Sequence, residues 1–277
     1  MEYQEIYKWG VSQLKEAGVE EAALDARLLL EDVCGTDRNY LLSHGGEQVA
    51  EDKYDRYAVC IAKRKARIPL QQITGYQEFM GLEFQVTPDV LIPRQDTETL
   101  VEEVMRYLHD GMHILDMCTG SGCILLSILR YSNDCVGTGC DISKKAMAVA
   151  EANANELSLD AAFVLSDLFE NISDKYDLIV SNPPYIPTDV IPTLMEEVKD
   201  HEPVIALDGR EDGLYFYKRI IEEAGSYLYP EGMLFFEIGY DQAKDVSELM
   251  KAAGFCEITV CKDLAGLDRV VHGVYGG

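Results

Sequence analysis

Long apolar runs and clustered metal ligands are both missing from this chain. No stretch of the 277 residues approaches the roughly 18 consecutive apolar residues that a membrane-spanning helix needs. The first five residues include two glutamates and no basic residue, so we expect no signal peptide, a cytoplasmic location and no membrane partner. The eight cysteines contain no C-x-x-C pair, and the five histidines are scattered. We therefore expect reduced, buried thiols and no metal site.

Basic residues are scarce as well. The chain has 24 Lys and Arg against 49 Asp and Glu, a net charge of −25. Residues 1–75 hold 10 of the basic and 13 of the acidic residues, a net of −3, which leaves 14 against 36, a net of −22, for the remainder. Proteins that bind nucleic acid directly usually carry a basic surface, so we expect no such binding here. The one basic cluster, residues 63–67, is typical of a solvated helix end, with partner contact as the alternative.

The hydrophobic pattern divides the chain into three parts. Residues 1–72 contain only helical periodicity, with amphipathic stretches at 21–30 and 47–66, and predict a small all-α bundle. Residues 73–96 alternate apolar and polar side chains around Gly81, which predicts a β-hairpin that connects two domains.

Strands alternate with helices over the third part, residues 97–277. The predicted strands include 114–117, 135–140, 162–165 and 178–180, and helices at 123–130 and 144–156 lie between them. Repeated units of this kind predict an α/β domain with a doubly wound, mostly parallel sheet. Ligands of such sheets bind at the carboxyl ends of the strands.

A glycine-rich turn follows the first strand of that sheet. In the run Asp116-Met117-Cys118-Thr119-Gly120-Ser121-Gly122, the glycines allow a tight turn and a close approach of the backbone to a ligand. Asp141 ends the next strand, 21 residues beyond Gly120, and suits the two hydroxyls of a ribose. The third glycine of a dinucleotide fingerprint would fall at Leu125, which favours a nucleoside without a pyrophosphate. S-adenosylmethionine is such a nucleoside, and Asp167-Leu168-Phe169, after a later strand, could surround its adenine.

Asn182-Pro183-Pro184-Tyr185 follows a further buried strand. The prolines carry no N–H and hold the chain rigid, Asn182 offers a side-chain oxygen, and Tyr185 offers a flat face. Two acceptors that grip the N–H bonds of a planar nitrogen would hold it in line with a methyl donor. An ordinary proline-rich turn is the alternative for this motif on its own. Its position after the three preceding strand-end motifs favours methyl transfer.

Several motifs together resemble one enzyme family, the peptide chain release factor glutamine methyltransferases (HemK/PrmC). Besides the two motifs above, the resemblance covers residues 71–75, 90–94, 97–98, 202–203, 206–207, 212–214, 237–239 and 262–270. It implies a Rossmann-like S-adenosylmethionine-dependent domain that methylates the N5 amide nitrogen of the Gly-Gly-Gln glutamine in bacterial class I release factors. It also implies S-adenosylhomocysteine as the product and a helical N-terminal domain that helps to hold the release factor.

The resemblance carries over to named site residues. It implies that Asn182 to Tyr185 are catalytic and bind the substrate together with Arg94 and Glu98. The cofactor contacts that it implies are Cys118, Thr119, Gly120, Ser121, Gly122, Asp141, Leu168 and Asn182, and the strand-end motifs add Asp116, Asp167 and Phe169.

The sequence departs from the family in two places. The family usually reads Pro-Arg-Pro-Glu-Thr-Glu where this chain has Pro-Arg-Gln-Asp-Thr-Glu at 93–98, and it commonly has Gly at Cys118. Cys118 either contacts the cofactor or faces the core. Two other functions stay open: methylation of an exocyclic amine of adenine or guanine in nucleic acid, and a non-catalytic adaptor for a translation factor. Leu125 disfavours a nicotinamide-dependent oxidoreductase.

Overall fold

Two compact units make up the chain in the computed structural model, which describes residues 1–276. One unit contains Met1–Tyr76 together with Met195–His201, and the other contains Gln77–Leu194 and the chain from Glu202 onward. The first unit thus includes a short segment from the second half of the sequence, which the hydrophobic pattern does not indicate.

The first unit is helical. Its helices are α1 (Tyr3–Glu16), α2 (Ala22–Cys34), α3 (Arg38–Ser43), α4 (Glu51–Lys65), α5 (Leu70–Thr74) and, much later in the chain, α9 (Glu196–Lys199). Apolar faces of α1, α2 and α4 bury side chains such as Leu14, Leu30 and Ile61 in a common core. Gly35 ends α2 in the left-handed conformation, which glycine adopts at no steric cost.

The second unit contains the predicted hairpin from its second residue, Gln77, and continues as the predicted α/β domain. The hairpin consists of β1 (Tyr76–Phe79) and β2 (Leu82–Gln85). The other strands are β3 (His113–Met117), β4 (Val136–Asp141), β5 (Ala162–Leu165), β6 (Tyr176–Ser181), β7 (Leu228–Glu237), β8 (Phe255–Lys262) and β9 (Asp268–Tyr275). The helices are α6 (Gln95–Tyr107), α7 (Cys123–Tyr131), α8 (Lys144–Leu157), α10 (Tyr215–Tyr227) and α11 (Ala243–Ala252).

Seven strands form one sheet in the order β5-β4-β3-β6-β7-β9-β8. Strands β3 to β7 are parallel, and β9 runs antiparallel to both β7 and β8. Side chains of α6 and α7 pack on one face of the sheet, and side chains of α10 and α11 pack on the other. The sequence prediction of a doubly wound, mostly parallel sheet is confirmed.

The strand register brings the predicted motifs to one edge. Met117 at the end of β3 pairs with Cys140 of β4 and with Ser181 of β6, so three loops start side by side. The strand order also reverses at β3, because β4 and β5 lie on one side of it and β6 and β7 on the other. Such a switch point leaves a crevice where α/β proteins bind ligands.

Among residues 1–276, no helix combines the length and the apolarity that crossing a membrane requires.

Candidate active site

A cavity of about 210 Å³ opens at the switch point of the second unit. Its walls come from the loops that follow β3, β4, β5 and β6, and from the chain before α6. The predicted residues that line it are Arg94, Cys118, Thr119, Gly120, Ser121, Asp141, Asp167, Leu168, Asn182 and Pro184. Asp116, Gly122, Phe169, Pro183, Tyr185 and Glu98 do not line it. The structure therefore brings both halves of the predicted site to one cavity.

The glycine-rich turn after β3 is held in shape from behind. Asp116 is fully buried, and its carboxylate accepts a hydrogen bond from the Thr119 hydroxyl at 2.6 Å. Burial raises the pKa of Asp116 to about 7, against the opposing effect of that hydrogen bond. Gly120 has a φ of 56°, and a Cβ added there would meet no atom within 4 Å. Asp116 is thus a support of the turn, and Gly120 leaves the turn open to a ligand.

Asp141 connects the glycine-rich turn to the start of α8. One of its carboxylate oxygens accepts from the backbone N–H of Gly120 at 3.0 Å, and the other accepts from the N–H of Ser143 at 2.8 Å. Burial raises the pKa of this carboxyl, whereas the backbone hydrogen bonds lower it. Each carboxylate oxygen has more than one lone pair. Asp141 can therefore hold the loop and still accept hydrogen bonds from hydroxyls in the cavity.

The loop after β5 reaches the cavity with two of its three predicted residues. Asp167 and Leu168 line the cavity, whereas the Phe169 ring stacks on Tyr227 in the core at 4.4 Å between centroids. Asp167 also forms an ion pair of 2.9 Å with Arg219 of α10. Arg219 is not predicted from the sequence as a site residue, although an aromatic run at 215–217 marks the start of its helix.

The Asn182 side chain directs its amide nitrogen to a neighbouring side chain of the same cavity. Asn182 Nδ2 lies 3.5 Å from the Thr97 hydroxyl oxygen of α6 and donates to it. Both Asn182 and Thr97 line the cavity. Because the amide nitrogen is directed to Thr97, the side-chain oxygen is the atom that remains to accept a hydrogen bond from a ligand.

Tyr185 lies behind the Asn182–Tyr185 turn and does not line the cavity. Its hydroxyl donates to Glu237 at 3.2 Å, and its carbonyl oxygen accepts from the Gln242 side chain at 3.1 Å. Glu237 is buried, and burial raises its pKa, although hydrogen bonds from Thr97 and Tyr185 and the charge of Arg269 favour its ionised form. Glu237 and Gln242, which are not predicted from the sequence as site residues, therefore fix the conformation of the Asn182–Tyr185 turn.

Arg94 and Glu98 differ in their roles. Arg94 lines the cavity and donates to Glu202 at 2.5 Å. Burial raises the pKa of Glu202, and the Arg94 charge lowers it. Glu98 instead accepts a hydrogen bond from the backbone N–H of Met80 at 2.6 Å, which ties α6 to the hairpin. Of the two residues, Arg94 is the one in a position to meet a substrate.

Known proteins resemble both parts of the chain. Residues 5–75 match the family model described as the PrmC N-terminal domain, and residues 95–198 match the methyltransferase small domain. A release factor glutamine methyltransferase of Clostridium acetobutylicum is 43% identical, over 96% of this chain and 96% of its own. One of Geobacter sulfurreducens is 40% identical, over 98% of this chain and 96% of its own.

Solved structures share the fold at low sequence identity. A methyltransferase from Pyrococcus furiosus superposes with a TM-score of 0.54 at 17% identity, over 82% of this chain and all of its own. A 16S rRNA N2 G1207 methyltransferase from T. thermophilus, solved with AdoMet and guanosine, has a TM-score of 0.52 at 17% identity, over 72% of this chain and 49% of its own.

Proposed function

Because this chain belongs to the release factor glutamine methyltransferase family, we propose that it methylates the side-chain amide nitrogen (N5) of the glutamine in the Gly-Gly-Gln motif of bacterial class I release factors. The methyl donor is S-adenosylmethionine, and S-adenosylhomocysteine is the product. The observation that carries the proposal is the shared cavity: the glycine-rich turn, Asp141 and Asn182 all open into it.

The residues around the glycine-rich turn fit the donor. S-adenosylmethionine supplies, when bound, a methyl group on a positively charged sulfur. The open face at Gly120 allows the backbone to approach a ligand, and Asp141 would accept hydrogen bonds from ribose hydroxyls. Asp167 and Leu168 would flank the adenine with one carboxylate and one apolar edge. Cys118 lines the same cavity and would contact the donor.

The Asn182 side chain would hold the acceptor nitrogen. Its oxygen and a backbone carbonyl near Pro183 would accept hydrogen bonds from the two N–H groups of the substrate amide. They would thereby aim the nitrogen at the methyl group. Thr97 keeps the Asn182 amide in the required orientation. These acceptors favour the pyramidal nitrogen of the transition state, so no strong general base is needed. The amide proton leaves after methyl transfer.

Methyl labelling tests the proposal directly. Purified protein and labelled S-adenosylmethionine should label a release factor on its Gly-Gly-Gln glutamine, and a Gln→Asn variant of that motif should stay unlabelled. Asn182→Ala should abolish transfer and keep most of the donor affinity, because it removes a contact made in the transition state. Label on DNA or RNA, or full turnover by Asn182→Ala, would refute the assignment.

The release factor is also the partner that we propose for the helical unit. The match of residues 5–75 to the PrmC N-terminal domain supports this role, and the net charge of −22 after residue 75 supports a protein rather than a nucleic acid as the partner. The proposed location is the cytoplasm. Hydrogen exchange in residues 1–75 should slow when the release factor is added; unchanged exchange would remove this role.

A further inference from the structure

His272 is buried without a hydrogen-bond partner. It lies on β9 with 1% of its surface exposed, stacked on the Phe235 ring at 4.8 Å and tilted against Tyr107 at 5.0 Å. Within residues 1–276, neither of its ring nitrogens has a hydrogen-bond partner. A buried polar group in this state loses its hydration without compensation, and an ion is one of the explanations for such a group.

Two further metal-ligand side chains lie beside His272. Glu103 of α6 and Cys261 of β8 each place a ligand atom near its ring, and the three atoms lie within 4.8 Å of one another. Cys261 pairs with Val270 across the two strands, so Cys261 and His272 are diagonal neighbours on one face of the sheet. Glu103 is buried as well, on a helix that packs against β9.

We propose that Glu103, Cys261 and His272 bind a divalent transition metal ion, with Zn²⁺ as the best fit. Carboxylate oxygen, thiolate sulfur and imidazole nitrogen are all zinc ligands, with bonds of about 2.0–2.3 Å. Such bonds put tetrahedral ligands roughly 3.5 Å apart, so rotation of the side chains by about 1 Å would close the site. The two anionic ligands balance the charge of the ion, and the metal gives one His272 nitrogen the partner it lacks.

The surroundings of the three residues are compatible with a cation. Arg106 pairs with Glu103 at 3.0 Å, but its side chain is 67% exposed, so water screens this pair and an ion can displace it. None of the three ligands lines the cavity at the switch point. The site is therefore separate from the proposed methyl-transfer centre.

The metal would join three elements. Its ligands come from α6, β8 and β9, and α6 also carries Thr97, six residues before Glu103 or about 9 Å along the helix axis. A bound ion would fasten the helix that orients Asn182 to the antiparallel end of the sheet. The ion would thus hold these three elements together, with a fourth coordination position left besides the three side chains.

Zinc titration of chelator-stripped protein tests the site. Elemental analysis should find one Zn²⁺ per chain, and competition with a chromogenic chelator should give its affinity. Cys261→Ser and His272→Phe should each weaken binding by more than about 100-fold, because loss of an outer-shell partner alone costs ten- to hundredfold. Cobalt substitution should give a thiolate charge-transfer band that Cys261→Ser abolishes.

Two matched variants keep the test decisive. His272→Phe retains the ring stack with Phe235 and Tyr107, so it should fold as the wild type does by circular dichroism. Cys256→Ser removes an exposed thiol of the same strand outside the cluster and should leave the zinc affinity unchanged. Equal zinc affinity in the wild type and His272→Phe would overturn the proposal. A loss of zinc affinity in Cys256→Ser as large as that in Cys261→Ser would overturn it as well.

Discussion

At the scale of single residues, the most telling position is Cys118. It has a φ of 63° in the glycine-rich turn, a left-handed conformation that costs a residue with a Cβ about 1–2 kcal/mol. A glycine would adopt this conformation without that cost, which agrees with the Gly that the resemblance leads us to expect at this position. The position lines the cavity, so the cysteine side chain also occupies space beside the proposed donor.

The stability of Cys118 variants should depend on how easily the new residue adopts a positive φ. Cys118→Gly should stay within about 1 kcal/mol of the wild type in unfolding free energy, because relief of strain offsets the larger entropy of the unfolded chain. Cys118→Val should destabilise by about 1–3 kcal/mol, since a β-branched residue fits this conformation poorly. Urea unfolding measures both. A Val variant as stable as the wild type would contradict the argument.

The sequence predicts a site residue best when that residue lies close to a recognisable strand end. Asp141 ends a strand and Asn182 directly follows one, so their meeting at one edge followed from the fold. Phe169 follows a strand too, but the turn of the chain sends its ring into the core, and no local pattern reveals that. Glu237 and His272 gain their meaning from neighbours on other elements, which only the folded chain brings close.

At the scale of secondary structure elements, the C-terminal end of α4 is less exposed than its sequence predicts. The prediction of a solvated basic cluster fits Lys63 and Lys65, which are exposed, and is wrong for Arg64, which is 7% exposed. Arg64 donates to Asp25 of α2 at 2.7 Å and to Glu197 of α9 at 2.9 Å. Because Glu197 is 133 residues away in the chain, the pattern around Arg64 could not show this pair.

Loss of Arg64 should therefore destabilise the helical unit. Arg64→Met leaves the buried Asp25 carboxylate without its ion-pair partner and leaves Glu197 with Arg67 alone, which should cost about 3–5 kcal/mol in urea unfolding. Hydrogen exchange in residues 195–201 should accelerate as well. Lys65→Met, at the exposed neighbour, should change stability by less than about 0.5 kcal/mol. Similar losses in both variants would mean that the buried network contributes little.

Acid should reduce the difference in unfolding free energy between Arg64→Met and the wild type, as measured by urea unfolding at several pH values. Burial raises the pKa of Glu197, but its hydrogen bonds and the charges of Arg64 and Arg67 prevail, so the pKa lies below its ordinary value of 4.5. The stabilisation is thus complete above about pH 4.5 and is lost as the pH falls through the folded-state value.

At the scale of the whole molecule, charge is the dominant feature. The residues after 75 carry a net charge of −22, and this charge produces a negative electrostatic potential that attracts basic surfaces. For the proposed release factor substrate we expect a basic surface around the Gly-Gly-Gln glutamine, because a site that works close to RNA carries positive charge. The acidic surface of this protein would then accelerate the encounter between the two.

Salt should slow this encounter without slowing the chemistry. Between 50 and 500 mM salt, the association rate with the release factor should fall by about tenfold or more, because screening shortens the range of the field. Stopped-flow fluorescence measures the rate. Turnover of a short Gly-Gly-Gln peptide at saturation is the control and should stay constant. Association rates that do not change with salt would remove the steering role.

The assignment of Met195–His201 to the helical unit also limits how this protein can be re-engineered. A chimera that exchanges only residues 1–76 between two relatives would pair a foreign Arg64 equivalent with the resident Glu197. A fragment that starts after residue 76 would carry Glu197 with no guanidinium to neutralise it. Modular exchange therefore has to move two pieces of the gene together, because the helical unit is built from two separate stretches of the sequence.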